Sequence, residues 1–525
     1  MANDSTRKQP DYQRWSNDMI RTKLRSHYLP DELERKELAG KVEELERTLF
    51  LESSKGNSDE QSTLHLRAFL APIRRLPAET LAEIYHFVLA FAHEWFLRPS
   101  EQLNPTRALI KLSHVCFFWR ETCLSTSTLW SDIRMPSLFC GVGSVRLVEM
   151  HLSRSRSAAL DIQIHNSAPF GRDLNLDGAR TISKNLISHR ERWKRLWVIG
   201  DRTLAEFNSI FQQIVNSSET LRFPHLELLQ LEDTEDEIHV FSAAEFPRLR
   251  KMAISTFTPG LFPFQQLTSL SLLHSLHRLP QTVEKYFGNL EELQITGQFS
   301  YLPVETGDLP VPVVLPKLKS LGLELYEKSS MILPFSTFNL PALLSLEICA
   351  PLYDWPQVEF ISMLIRSQLT SSLRTLSLRW TRMKDEQLLE TLRLTPNLED
   401  LKVVDDRLNS TLSLSFFQTM TIRPGDTEEG NVIVPKLQSI TFSMALPDRG
   451  RFVGYEMVAS RASEFLQVHC PTLNCRPLES VTLILSIGYP PFASLTRADI
   501  QSLRESMDVK VIVYPANEPH NQEIL

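Results

Sequence analysis

Glycine is scarce in this chain, 17 residues of 525. Loops that cradle phosphate need clustered glycines so that backbone N–H groups can approach the ligand. Neither G-x-x-x-x-G-K-[ST] nor G-x-G-x-x-G is present. H-E-x-x-H and G-x-S-x-G are missing too, which removes the metalloprotease and serine-hydrolase signatures. Cysteine is equally thin, six residues scattered along the chain. That excludes a disulfide framework and points to a reducing compartment with free, mostly buried thiols. His469-Cys470 with Cys475, and His114-Cys116 with Cys123, lack a second Cys/His pair at zinc spacing. No cofactor is expected and no enzyme. Long apolar runs are absent: Leu81–Leu97 is interrupted by Glu83, His86, His93 and Glu94, so no membrane span is expected. The opening MANDSTRKQPDYQRW has no apolar core for a secretory signal. No basic tract stands out and net charge is −7, which argues against nucleic acid as a partner. The expected location is cytoplasmic or nuclear.

Hydrophobic residues make up 42% and charged residues 23%, ordinary values for a folded globular chain. At this length one core does not suffice, and two or three domains are expected. Residues 1–30 are charged and lack an apolar period, which predicts disorder. Over 31–51 the pattern changes. Leu38, Val42, Leu45 and Leu49 step by about four, three and four, a short coiled-coil seam, with Asp31 as N-cap. The seam either lies against the domain that follows or self-associates weakly. Residues 52–67 read as a flexible linker, polar from ESSKGNSDEQS onward.

Residues 68–135 carry the most specific signal. Leu76-Pro77 precedes a helix with Leu81, Ile84, Tyr85 and Val88 on one face. Pro77 suits the first helical position, where the missing N–H has no partner to lose. A second helix is predicted with Ala108, Leu112, Val115 and Trp119 in line and Cys116 beside them. Leu129-Trp130 with Asp132 and Ile133 follow. The order LP-x-E, helix, VC-x-x-WR, LW-x-x-I resembles the F-box. That resemblance implies docking on the small adaptor subunit of an SCF-type cullin–RING ubiquitin ligase, and through it on the cullin. It puts Leu76, Pro77, Leu81, Ile84, Val115 and Trp119 around the adaptor interface, some of them doubling as core. Phe117-Phe118 depart from the polar residues usual there. Both lie off the apolar face and need cover from the repeats, the adaptor or the target.

Residues 136–514 are repetitive. The pattern L-x-x-L-x-L recurs as HLELLQL, RLRKMAI, QLTSLSL, NLEELQI, KLKSLGL, ALLSLEI, SLRTLSL, NLEDLKV, KLQSITF and PLESVTL. A weaker copy, RWKRLWV, precedes them. First residues are 18 to 41 apart. Each copy predicts a short strand whose apolar residues face a core and whose intervening residues face out. No unit can bury its face alone, so stacked parallel strands are expected. The pattern is similar to leucine-rich repeats, although the usual asparagine or cysteine position holds Thr234, Ser275, Tyr326, Asp406 and other residues. The fold class is therefore α/β: an N-terminal helix and small all-α F-box, then an irregular leucine-rich-repeat solenoid with a parallel sheet. F-box proteins of this degenerate kind form large fungal families. Helical periods fall at 205–215, 358–365, 385–392 and 497–507, a last strand at 509–514, and a polar tail at 515–525.

The residues predicted to face out are polar and mixed in charge: Lys251, Glu292, Gln294, Glu324, Glu347, Arg379, Asp400 and Lys402, with Ser269, Ser271, Ser320, Thr375, Ser377 and Ser439. Such a face suits a protein or peptide better than an apolar ligand. Gln294, Glu324, Glu347, Arg379 and Lys402 are the candidate target contacts. The acidic run Glu232, Asp233, Glu235, Asp236 and Glu237 is either a solvated loop or a contact for a basic target. The function expected from the resemblance is a non-catalytic substrate receptor that delivers a protein target to ubiquitin transfer. The alternative is a repeat scaffold without ubiquitin transfer.

Overall fold

The computed structural model describes residues 16–26, 28–51, 57–96, 105–135, 142–165, 176–199, 209–213, 221–232, 244–257, 261–275, 286–297, 313–326, 328–351, 355–404, 412–424, 432–445, 454–486 and 497–514. The acidic run from Asp233 to Glu237, most of the 303–316 and 423–430 loops and the 515–525 tail lie outside them. The chain divides into two compact units, 1–195 and 196–525.

In the first unit, α1 (Asn17–Leu24), α2 (Glu32–Leu51) and α3 (Asn57–Leu70) form a small helical cluster. This corrects two expectations. Part of the 1–30 segment is helical, capped by the Ser16 hydroxyl on the Met19 N–H at 3.3 Å. The 52–67 linker is largely the helix α3. The physical reason lies in two well-spaced residues. Leu66 and Phe69 of α3 are buried with Leu38 and Val42 of α2 and Ile20 of α1. Leu38 and Val42 of the α2 seam are thus covered within their own chain, with Leu45 partly buried beside them, against helices the local pattern did not reveal. Asp31 does cap α2: its Oδ1 accepts the Glu34 N–H at 2.8 Å, and a Glu34 carboxylate oxygen accepts the Asp31 N–H at 3.1 Å. This reciprocal pair satisfies two otherwise orphaned donors.

The next helices are α4 (Ala78–Phe96), α5 (Pro105–Ser113) and α6 (Phe117–Ser125). Pro77 sits one residue before α4, where its carbonyl accepts the Leu81 N–H at 3.0 Å. The single helix expected through Ala108 and Trp119 is two helices. Ser113 turns its hydroxyl onto the Ile110 carbonyl at 2.7 Å, which competes with helix continuation, and Cys116 is fully extended at φ −156°. The apolar period survives the break because both helices wrap one core. That core holds Leu81, Tyr85, Leu89, Ala108, Leu109, Trp119, Cys123, Leu129 and Trp130. Beyond residue 135, where the helical domain was expected to stop, the same unit continues with β1 (Asp132–Met135), α7 (Val142–Arg154), β2 (Leu160–His165) and α8 (Leu176–Ser188). β1 and β2 pair in parallel. The weak copy RWKRLWV forms β3 (Trp193–Ile199), with Trp193, Leu196 and Val198 buried.

The second unit is a parallel sheet in sequence order. Its strands are β4 (Leu228–Glu232), β5 (Lys251–Thr256), β6 (Ser269–Ser275), β7 (Glu292–Gly297), β8 (Ser320–Leu325) and β9 (Ser345–Cys349). They continue with β10 (Thr375–Arg379), β11 (Asp400–Val404), β12 (Ser439–Ala445), β13 (Ser480–Ser486) and β14 (Asp508–Tyr514). QLTSLSL and NLEELQI pair in parallel, Leu270 against Leu293. All three apolar positions of every copy are buried. One row runs Leu229, Met252, Leu270, Leu293, Leu321, Leu346, Leu376, Leu401, Ile440 and Val481 across neighbouring strands.

Two backbone devices explain the motif's shape. The carbonyl after the first leucine accepts two successive N–H groups from the next copy: Glu291 from Lys319 and Ser320 at 2.8 and 3.0 Å, Lys319 from Leu344 and Ser345 at 2.8 and 2.9 Å. The prolines of FPHL, FPRL, LPKL, LPAL and VPKL occupy the second position of a turn closed by the leucine N–H, as from Leu343 to the Leu340 carbonyl at 3.2 Å. There the fixed φ is an asset and no N–H is needed. Between strands, helices such as Gln357–Arg366 and Asp385–Leu394 pack in place of the predicted helical periods. Among the described residues no helix is long and apolar enough to cross a membrane.

Candidate functional site

Two surfaces carry the residues singled out by sequence. The first is the rim of the α4–α6 core. Tyr85 and Trp119 meet edge to face at 5.4 Å, and the Tyr85 hydroxyl donates to the Trp119 carbonyl at 3.1 Å. The Trp130 indole donates to the Cys123 carbonyl at 2.8 Å. His151 of α7 closes the core beneath: its Nδ1 lies 2.9 Å from the Trp130 carbonyl and its Nε2 3.2 Å from the Thr106 hydroxyl. A carbonyl only accepts, so Nδ1 carries the proton and Nε2 accepts from Thr106. Burial holds the His151 pKa below its ordinary value, partly opposed by the Trp130 carbonyl. Burial also lifts the Cys123 thiol to about 11, so it is an inert core thiol.

The structure sorts the six expected contact residues into two groups. Leu81 and Trp119 are core, and so are not exposed contacts. Leu76 and Ile84 are half-buried, and Pro77 is exposed. Val115 stands out at 57% exposure, because the turn between α5 and α6 lifts it off the helix it was expected to occupy. Phe118 packs on the core, whereas Phe117 remains 42% exposed. Phe87 and Ile110 add exposed apolar surface that the helical pattern had not flagged. The indole N–H of Trp119 is buried with no hydrogen-bond partner among the described residues, a cost of about 1–3 kcal/mol.

The second surface is the outward face of β7–β11. Here the structure brings Gln294, Glu324, Glu347, Arg379 and Lys402 together. One register row reads Gln294, Gly322, Glu347, Ser377, Lys402. Two residues further along the strands the row reads Thr296, Glu324, Cys349, Arg379, Val404. Large and small side chains therefore alternate both along and across the strands from β8 to β10. The Gln294 amide lies over Gly322, in the space a β-carbon would take. Glu347 reaches diagonally to Arg379, 3.1 Å between Oε1 and Nε. The Tyr326 hydroxyl donates to Glu324 Oε1 at 2.6 Å, and burial with that carboxylate raises the Tyr326 pKa. Beneath them Cys349 is pushed up to about 12, by burial first, with Glu324 and Glu347 adding and Arg379 opposing. Ser377 was expected to be exposed; it is 7% exposed, and its hydroxyl has no partner among the described residues. Asp400 is raised by burial, against the pull of the Ser439 hydroxyl and Lys402.

Tyr326 was noted in the sequence only as a turn residue. Its role at this face needs the pairing of β8 with β9, which no single copy displays. The Cys470 thiol points to the Arg423 carbonyl at 3.5 Å and packs with Ile422, Leu466 and Leu473. Among the described residues no group of three His, Cys, Asp or Glu side chains suits a metal ion. The chain matches no protein-family model and no curated protein.

Proposed function

We propose that this chain is an F-box protein with degenerate leucine-rich repeats, acting as substrate receptor of an SCF-type cullin–RING ubiquitin ligase. In this reading the rim of the α4–α6 core binds the adaptor subunit and, through it, the cullin. The outward face of the strand array holds a protein target. The chain performs no covalent step. It raises the effective concentration of target lysines near a charged ubiquitin-conjugating enzyme, in the cytoplasm or nucleus.

The observation that carries the reading is the separation of the LP-x-E and VC-x-x-WR residues by role. Leu81 and Trp119 hold the core while Pro77 and Val115 stand at the surface, with Leu76 and Ile84 half-covered beside them. A purely structural helical domain has no need to keep Val115 and Phe117 in water.

The test is co-purification of the adaptor with full-length chain. Leu76→Ala with Pro77→Ala, or Val115→Glu alone, should abolish it while the melting curve stays unchanged. A partner captured by such a variant should accumulate in cells, since it is held but not delivered. Undiminished co-purification defeats the F-box reading. Lost co-purification with unchanged partner abundance and ubiquitination favours a scaffold.

A further inference from the structure

The outward face of β8–β10 has an unbalanced charge and an unanswered hydroxyl. Five side chains sit together: Glu324, Tyr326, Glu347, Cys349 and Arg379. Two carboxylates face one guanidinium. Glu347 forms an ion pair with Arg379, 3.1 Å from Oε1 to Nε, although that Nε makes no hydrogen bond among the described residues. Glu324 instead takes a neutral donor, the Tyr326 hydroxyl at 2.6 Å. No cation is paired with it in the described part of the fold. Tyr326 is 42% exposed beside that carboxylate. An aromatic face next to an unneutralised carboxylate attracts an organic cation by both ion pairing and the ring quadrupole.

Ser377 supplies an independent observation. Leu376 and Leu378 on either side of it point into the core, so Ser377 points to the outward face. It lies in the row between Glu347 and Lys402. Its hydroxyl is buried and finds no donor or acceptor among the described residues. Buried polar groups in native proteins are nearly always satisfied. The long side chains of Glu347 and Lys402 flank this hydroxyl on the neighbouring strands, while the space over Gly322, one strand beyond Glu347, is filled by the Gln294 amide. A main-chain amide laid across the strands would satisfy Ser377 once those flanking side chains swing aside.

We propose that this face takes an extended segment of the target protein bearing an arginine or lysine, with the cation on Glu324 and against the Tyr326 ring. The open strand surface favours a chain lying across it over a small cation, which needs an enclosing pocket. The segment's standing as a target rests on the receptor reading; the preference for a basic residue does not.

A random peptide library displayed on phage and selected on the full-length chain tests this directly. The expected consensus has Arg or Lys at one fixed position. With the winning peptide labelled by fluorescein, Glu324→Gln should weaken binding by about tenfold, and Tyr326→Leu by about threefold. Arg379→Gln releases Glu347 and should tighten binding. Glu464→Gln, on a distant helix, should change nothing. No enrichment, a consensus without a basic residue, or indifference to Glu324→Gln each overturns the proposal. Adaptor co-purification is read separately on Glu324→Gln. Intact adaptor binding with no basic preference sinks this inference alone. A retained preference without adaptor binding sinks the receptor reading alone.

Discussion

Arg461 is the largest polar side chain sealed inside the array, 1% exposed. Among the described residues it meets no carboxylate. Its Nε and Nη2 donate to the Met420 carbonyl at 3.3 and 3.1 Å, Nη2 also to Ile433 at 2.8 Å, and Nη1 to Val434 at 3.1 Å. It thereby ties the end of the helix Leu414–Met420 to the turn that leads into β12. Burial depresses its pKa to about 10, so the guanidinium stays charged at neutral pH. Replacing it with methionine keeps the apolar stem and removes every donor. Each carbonyl left without its donor costs about 1–3 kcal/mol, and the extra apolar burial returns about 2 kcal/mol. With three carbonyls orphaned, the expected net loss is about 1–7 kcal/mol, about 4 at mid-range. Repeat arrays couple mainly to their nearest neighbours, so the damage should be local. Hydrogen exchange read by mass spectrometry should show protection of β12 and β13 falling by about a hundredfold or more, with β5 and β6 unchanged. Arg461→Lys keeps a point charge but not the fork, and should fall between. A change under about tenfold for Arg461→Met, or one spread evenly over all strands, would refute the reasoning.

Other substitutions separate core from surface. Leu81→Ala should cost about 2–5 kcal/mol, whereas Val115→Ser should stay within about 0.5 kcal/mol; denaturant melts of the two variants check this. Trp119→Phe removes an indole N–H that has no partner among the described residues. It should be nearly neutral despite the lost ring area, and a loss above about 3 kcal/mol would show that the N–H is satisfied after all. His151 gives a pH signature. Its folded pKa lies below the ordinary 6.5, so as pH falls through that value the unfolded chain takes up a proton and the folded chain does not. Stability should therefore be complete above about 6.5 and decline below it, and His151→Gln should flatten the decline in melts taken from pH 7.5 to 5 (about one unit above to one and a half below the ordinary imidazole value).

The strand array is legible in the sequence because its cause is local. Three apolar residues and a preceding proline define each strand and its turn, and the buried rows follow from stacking the copies. The Asp31 cap is legible for the same reason: donor and acceptor lie three residues apart. What escapes is whatever needs a partner from elsewhere. The α3 helix looks like a linker because its polar start hides Leu66 and Phe69, whose value appears only against Ile20, Leu38 and Val42. The break at 114–116 escapes because the apolar period runs unchanged across two helices sharing one core. Arg461 reads as an ordinary charged residue in RASEFL, since carbonyls 27 and 41 residues away leave no trace in that stretch. The outward face is legible in part. Alternation names Gln294, Glu324, Glu347, Arg379 and Lys402, but their diagonal pairing depends on strand register.

Inward and outward positions of the array differ in how freely they can be exchanged. The inward positions are constrained three at a time in every copy, because each leucine packs against its counterparts on both neighbouring strands. The outward positions contribute little to that core: Glu347 and Arg379 form a partly exposed ion pair, worth about 0–1 kcal/mol at most. Exchanging Glu324, Glu347 or Lys402 should therefore leave the fold standing while altering what the face attracts. Gly322 is the exception. Any larger residue there must first expel the Gln294 amide from the space above it, so a change at one strand forces a rearrangement on the next. Gly322→Glu should consequently disturb the Glu324 neighbourhood more than a charge change at the more open Lys402, and pairing it with Gln294→Ala should remove most of the difference.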